Sequence, residues 1–249
     1  MIQGIAVYTP DNSNAVFNRF HILEVVVRKT HKIPLFPLGL VLLPDMMLPL
    51  HIFEERYKEM VSACLANDRP FGIVLFDGGS IRSVGCMARI TEVLKRYDDG
   101  RMDIMTRGGE RFVIRELIEE QAYMEARVFF FDDGEDPPGD DLADVVDTAL
   151  HLLKEVAGID AGFDASTLDG HIPSKRLSFA IAALEGFAPS ERQGFLEMTS
   201  ASERLKKCVQ ALSRIVARNR LTREIQQMIG GNGHPPRSIL KELRDQRQH

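Results

Sequence analysis

The stretch of this 249-residue chain that comes nearest to a catalytic signature is His51-Ile52-Phe53-Glu54-Glu55. Inverted zinc peptidases carry H-x-x-E-H on a helix, where two histidines hold the metal and the glutamate acts as general base. Here the second histidine is replaced by Glu55, and His51 stands two residues after Pro49, ahead of any helical pattern. Zinc is therefore not expected. A histidine at a strand-to-helix corner, with Glu54 and Glu55 favourable to the helix N-terminus, accounts for the same letters. An alternative that stays open is hydrolysis by His51 with Glu54 or Glu55 in a pocket around them.

Other chemistries leave less trace. Ser174-Lys175 is the only adjacent serine-lysine pair. A catalytic dyad would need convergence in space and a seat for the scissile carbonyl, so the pair reads as a helix cap beside a surface lysine. The chain has no G-x-S-x-G elbow and no G-x-x-x-x-G-K-[ST] loop to cradle phosphates. Asp132, Asp133, Glu135 and Asp136 supply closely spaced oxygens without the loop order that calcium requires, and read as a solvated linker. Cys64, Cys86 and Cys208 are odd in number, far apart and set in apolar patterns, which predicts buried thiols. No catalytic residue, cofactor or metal is expected.

The balance of the chain is that of a packed protein, with 44% hydrophobic residues. No apolar run approaches the roughly 20 residues that span a bilayer, and the N-terminus lacks the features of a secretory leader, so a cytoplasmic protein with no membrane partner is expected. The net charge of −5 is unevenly spread. Twelve acidic side chains face one basic between Phe131 and Gly170, whereas eleven basic face four acidic from Ala201 to His249. A basic C-terminus is one route to RNA binding, and it stays as a further alternative. With no Trp and a first half that is not basic, nucleic acid is not the expected partner.

Around the histidine, the elements are written plainly. Leu35 to Leu38 and Leu40 to Leu43 are short apolar runs punctuated by Pro34, Pro37, Gly39 and Pro44, which predicts strand, turn and strand. From Phe53 the period changes: Phe53, Tyr57, Met60, Val61, Cys64 and Leu65 share one face of a helix that ends near Asn67. This string, P-L-F-P-L-x-L-V-L-L-P-x-M-x-L-P-L-H-I-F-E-x-R-Y over Pro34 to Tyr57, resembles the opening of the LON amino-terminal domain, known from Lon proteases. Two positions depart from the family pattern: Asp45 where glycine is usual, and Glu55 where proline is usual.

Further on, Phe71 to Phe76, Val84 to Arg96, Met102 to Thr106, Arg111 to Leu117 and Gln121 to Phe131 read as strands. Asp99-Gly100 is a hairpin turn between the second and third, and Gly108-Gly109 a bulge before the fourth. The resemblance runs on through Gly85 to Ile90 and Gly108 to Ile114, and more weakly through Leu177 to Arg218. Many short strands with one helix predict a closed or partly closed barrel. Helical patterns follow from Leu142, from Ser174, from Pro189 and from the capping box Ser200-x-x-Glu203.

The expected class is α+β: a PUA-like β pseudo-barrel, as the resemblance names it, followed by a helical bundle. The segments are an extension (1–30), the barrel (31–131), an acidic linker (132–141), a helical subdomain (142–230) and a basic tail (231–249). The resemblance implies a non-catalytic module that binds unfolded or partner polypeptides, with a separate ATPase or protease as a further expected partner. Flexible thioethers and aromatics make a tolerant peptide surface, so Met46, Met47, Arg56, Met87, Met105 and Phe129 are the expected binding residues. The competing expectation is that these side chains fill the junction between barrel and helices.

Overall fold

The computed structural model describes residues 30–136, 142–157 and 173–230, together with a three-residue strand, β1 (Ala6–Tyr8). The expectations for Ile22 to Val27, for the loop Ala161 to Gly170 and for the basic tail fall outside the described residues. The chain divides into two compact units, Met1–Asp140 with Pro173–Arg204, and Asp141–Ile172 with Leu205–His249.

In the first unit, β2 (His31–Leu38) pairs antiparallel with β7 (Glu125–Phe131) through its first half and parallel with β4 (Phe71–Asp77) through its second. β4 pairs with β5 (Ser80–Arg96), β5 with β6 (Met102–Ile118), and β6 with β7, so five strands close on themselves. Closure leaves these strands no free edge along the ring. β1 adds to β5, and β3 (Met47–Ile52) adds to the far half of β6. The interior is filled by Ile33, Leu35, Val74, Phe112, Ala126 and Val128, all buried.

Two differences from the sequence reading have physical causes. Leu40 to Leu43 is not a strand. Val41, Leu42 and Leu43 are buried as an irregular connection, and the second strand is Met47–Ile52. Phe53 is exposed, because the helix α1 (Glu55–Ala66) begins two residues after it and buries Tyr57, Met60, Val61 and Cys64 instead.

The two family departures are local. Asp45 has φ 63, the left-handed region that glycine occupies freely and that Asp tolerates better than most. Glu55 is the first helical residue after the N-cap Glu54, a position where proline's fixed φ also fits. Neither substitution disturbs the path. The turn around Asp45 is locked to the barrel, with Asp45 N donating to Gly108 O and Gly108 N to Met46 O. A Cβ at Gly108 would come within 1.9 Å of Leu43 O, so only glycine allows this approach. β6 thus runs on through Gly108, where two separate strands were expected.

Helices α3 (Ser174–Ala182) and α4 (Pro189–Glu197) and the first turn of α5 (Ala201–Gly230) belong to the first unit. The expected helical subdomain 142–230 is therefore divided. Polar bonds tie these helices to the barrel: Gln193 Nε2 donates to Val84 O on β5, and Arg111 on β6 donates to Leu196 O and Met198 O. Asp133 accepts from Arg111 and from both terminal nitrogens of Arg204, and both arginines are buried. The Arg204 guanidinium lies 3.9 Å from the Phe179 ring centre. Asp136 accepts from Ser202 N and from the Ser200 hydroxyl, so a linker acid caps α5 along with Ser200.

In the second unit, α2 (Ala143–Ala157) buries Ala149, Leu152 and Leu153, and α5 from Leu205 onward buries Leu205, Cys208, Leu212 and Val216 at three- and four-residue spacing. Arg220 makes a forked ion pair with Glu155. No helix among the described residues is long and apolar enough to cross a membrane.

Candidate functional site

An apolar groove of about 560 Å³ opens on the barrel where three strand ends meet the first turn of α1. Pro37 stands one residue before the end of β2, Phe76 near the end of β4, and Tyr57 and Arg56 come from α1. The β6–β7 connection supplies the remaining wall with Glu119, Gln121, Ala122, Tyr123 and Met124. Each wall is held from behind. Tyr57 packs on Phe36 at 4.2 Å between ring centres, and Leu35 N donates to Met124 O at 2.8 Å.

Phe76 is 39% exposed although Phe71 to Leu75 before it are buried. Its side chain lines the groove. Arg56 bonds Glu54 through Nε and Nη2 and lies 4.6 Å from the Tyr57 ring centre, so its planar face is presented along an aromatic wall. Burial raises the Tyr57 and Tyr123 phenols above their ordinary range, so both are neutral hydroxyls at physiological pH. Such a groove offers apolar walls with a few polar groups and no nucleophile, a character suited to holding side chains.

A second concavity of about 520 Å³ lies where β6 changes neighbour from β7 to β3, and is walled by Asp45, Gly108 to Arg111, Phe130 to Asp132 and Lys175. Four of its lining charges are paired: Lys175 bonds both oxygens of Asp132, Arg107 bonds Asp45, and Arg111 bonds Asp133. Lys175 is thus committed to a carboxylate, and Ser174 opens α3 without a side-chain cap bond.

The expected binding residues are only partly brought together. Arg56 lines the groove. Met47, 50% exposed, and Met105 lie on the outer face of β3 and β6, where Pro49 stands opposite Met105. Met46 is half-buried in the Asp45 turn. Phe129 is half-buried on β7 with Arg115 over its ring, while Met87 is in the barrel core at 5% exposure and cannot meet a ligand. The sequence reading missed Phe76, Tyr123 and Met124. An aromatic just before Asp77-Gly78-Gly79, at the mouth of a turn, was the available signal for the first of them.

His51 does not meet Glu54 or Glu55. Its Nδ1 is 2.5 Å from Asp103 Oδ1, directly across the β3–β6 pair, and Tyr97 donates its hydroxyl to the other Asp103 oxygen at 2.8 Å. Glu54 holds Arg56 and Glu55 holds Lys58. The proposed histidine-glutamate hydrolase thus has no assembled site. Among the described residues no group of three or more His, Cys, Asp or Glu is placed to hold a metal ion. Cys64, Cys86 and Cys208 are buried and outside any disulfide, with burial pushing the thiol pKa of Cys86 up to about 12 and that of Cys64 up to about 11.

Comparison with known proteins decides the family. Residues 32–214 match the family described as the ATP-dependent protease La (LON) substrate-binding domain. The chain belongs to that family. Among curated relatives, this LON domain is 27% identical over 213 residues to the Lon protease of Paraburkholderia phytofirmans and 23% identical over 213 residues to that of Flavobacterium johnsoniae. Those alignments take in 77% and 79% of this chain but 25% and 26% of the relatives, so the chain spans about a quarter of their length. Two solved structures share the fold. A Lon N-terminal domain protein from Xanthomonas campestris (TM-score 0.55, 23% identity) aligns over 71% of this chain and 96% of its own. The N-terminal domain of a Mycobacterium avium complex Lon protease (TM-score 0.60, 17% identity) aligns over 74% and 98%.

Proposed function

We propose that this LON domain binds unfolded polypeptide segments, without itself cutting them, by seating apolar side chains in the groove between Phe76, Tyr57 and Tyr123. The observation that carries this reading is Phe76, a large aromatic turned out of a buried strand into an apolar groove. An exposed aromatic at the mouth of an apolar concavity marks an interaction surface. Membership of a family described by substrate binding supports the same direction. The polypeptide supplies apolar groups, the groove walls desolvate them, and Arg56 and Glu119 at the rim meet polar backbone or charged flanks.

The test is a binding titration with reduced, carboxymethylated α-lactalbumin, a permanently unfolded chain, against the protein and its Phe76→Glu variant. Seating one aromatic-lined contact is worth about 1.5–3 kcal/mol. The variant is therefore expected to lose about tenfold or more in affinity with an unchanged circular dichroism spectrum. Equal affinity of the two proteins would remove the groove from the account.

A further inference from the structure

We infer that β3 offers its open edge as a template on which an extended segment of an unfolded polypeptide adds as one more strand. The inference deepens the polypeptide-binding reading above and rests on it. β3 has β6 on one side and no strand on the other among the described residues.

The direction of the β3 backbone groups follows from two hydrogen bonds, one on either side of β6. Gly108 N donates to Met46 O, so the even residues of β6 face β3. Thr91 Oγ1 on β5 donates to Met105 O, so the odd residues of β6 face β5. In an antiparallel ladder the residue opposite an outward-facing one also turns its groups outward. With Met47 opposite Arg107, Pro49 opposite Met105 and His51 opposite Asp103, these three residues direct their backbone groups to the open edge. Pro49 thus sits where its missing N–H costs the β3–β6 ladder nothing.

An incoming strand meets two donors, Met47 N–H and His51 N–H, and three carbonyl acceptors. Side chains of the added strand that pair with these residues lie on the outer face beside Met47, 50% exposed, with Met105 behind, and near Phe53, 57% exposed. That surface selects a segment with apolar residues at alternate positions. A second copy of this chain fits less well. Antiparallel pairing of two β3 edges about Pro49 sets proline against proline and loses both central bonds.

Residue-resolved amide exchange tests this on the full chain, free and saturated with reduced, carboxymethylated α-lactalbumin. Strand addition slows the Met47 and His51 amides by roughly five- to tenfold, the effect of one net hydrogen bond, and leaves Leu48 and Leu50, already bonded toward β6, unchanged. A Met47→Pro variant, checked by thermal melting, loses affinity by a similar factor because one edge donor is gone. Binding with unchanged Met47 and His51 exchange overturns strand addition and leaves groove binding standing. No binding at all overturns both.

Discussion

Arg204 grips Asp133 with both terminal nitrogens, at 2.9 and 2.6 Å, across 71 positions of sequence. With Arg111 on the other side, this carboxylate joins β6, the segment after β7 and the first turn of α5, all within the first unit. Both arginines are buried, so Asp133 is what makes their charges tolerable there. Asp133→Ala leaves two buried cations facing each other and is expected to cost about 3–5 kcal/mol, read as a fall in the urea midpoint. A change below about 0.5 kcal/mol would mean the cluster contributes nothing.

The same cluster sets an acid response. Burial would push the Asp133 carboxyl up, but the Arg204 and Arg111 bonds and charges outweigh it and hold the group below its ordinary value. A carboxyl depressed in the folded state contributes stability above its unfolded value, about 3.9, and loses that contribution as pH falls through the folded value. Melting temperature against pH should therefore drop below about pH 4, and Asp133→Asn should flatten that part of the curve. An unchanged acid limb in the variant would contradict the assignment.

Asp45 tests how far the turn needs glycine. At φ 63, Asp45→Ala is expected to cost about 1–2 kcal/mol, since alanine lacks both the tolerance for this region and the bond to Arg107. Asp45→Gly exchanges an exposed ion pair for freedom from strain and should fall within about 0.5 kcal/mol of the parent. Denaturant midpoints decide the order of the two.

Two glycines give a contrast within one experiment. Gly108→Ala drives a Cβ into Leu43 O and should destabilise by about 1–3 kcal/mol or more. Gly39→Ala meets nothing within 4 Å and should be neutral or slightly stabilising. A harmless Gly108→Ala would show that the Asp45 turn can move away from β6.

What was legible in the sequence is what period and punctuation encode. The apolar alternation, the prolines and Asp99-Gly100 place most strands, and the three-four pattern from Tyr57 to Cys64 places α1. Leu40 to Leu43 misled because a buried irregular segment is as apolar as a strand, and only the Gly108 contact shows what it packs against. Asp132, Asp133 and Asp136 looked like a solvated linker because their partners Lys175, Arg204 and Ser202 come 43 to 71 positions later, too far for any spacing to register. Met87 was expected at the surface for its chemistry, yet β5 turns it into the core. The groove escaped notice because its walls come from four separate stretches, the ends of β2 and β4, the start of α1 and the β6–β7 connection, and of these residues only Pro37, Arg56 and Tyr57 lie in the family string.

The most direct test of the central claim places a photoreactive benzoylphenylalanine at position 76, in the groove, and in a second protein at Leu94, which is exposed on β5 but lines neither concavity. Each is irradiated with reduced, carboxymethylated α-lactalbumin, and the adducts are measured by mass spectrometry. The account predicts abundant adducts from position 76, competed away by excess unlabelled polypeptide, and few from position 94. Equal labelling from both positions, or adducts that excess polypeptide does not compete, would contradict it.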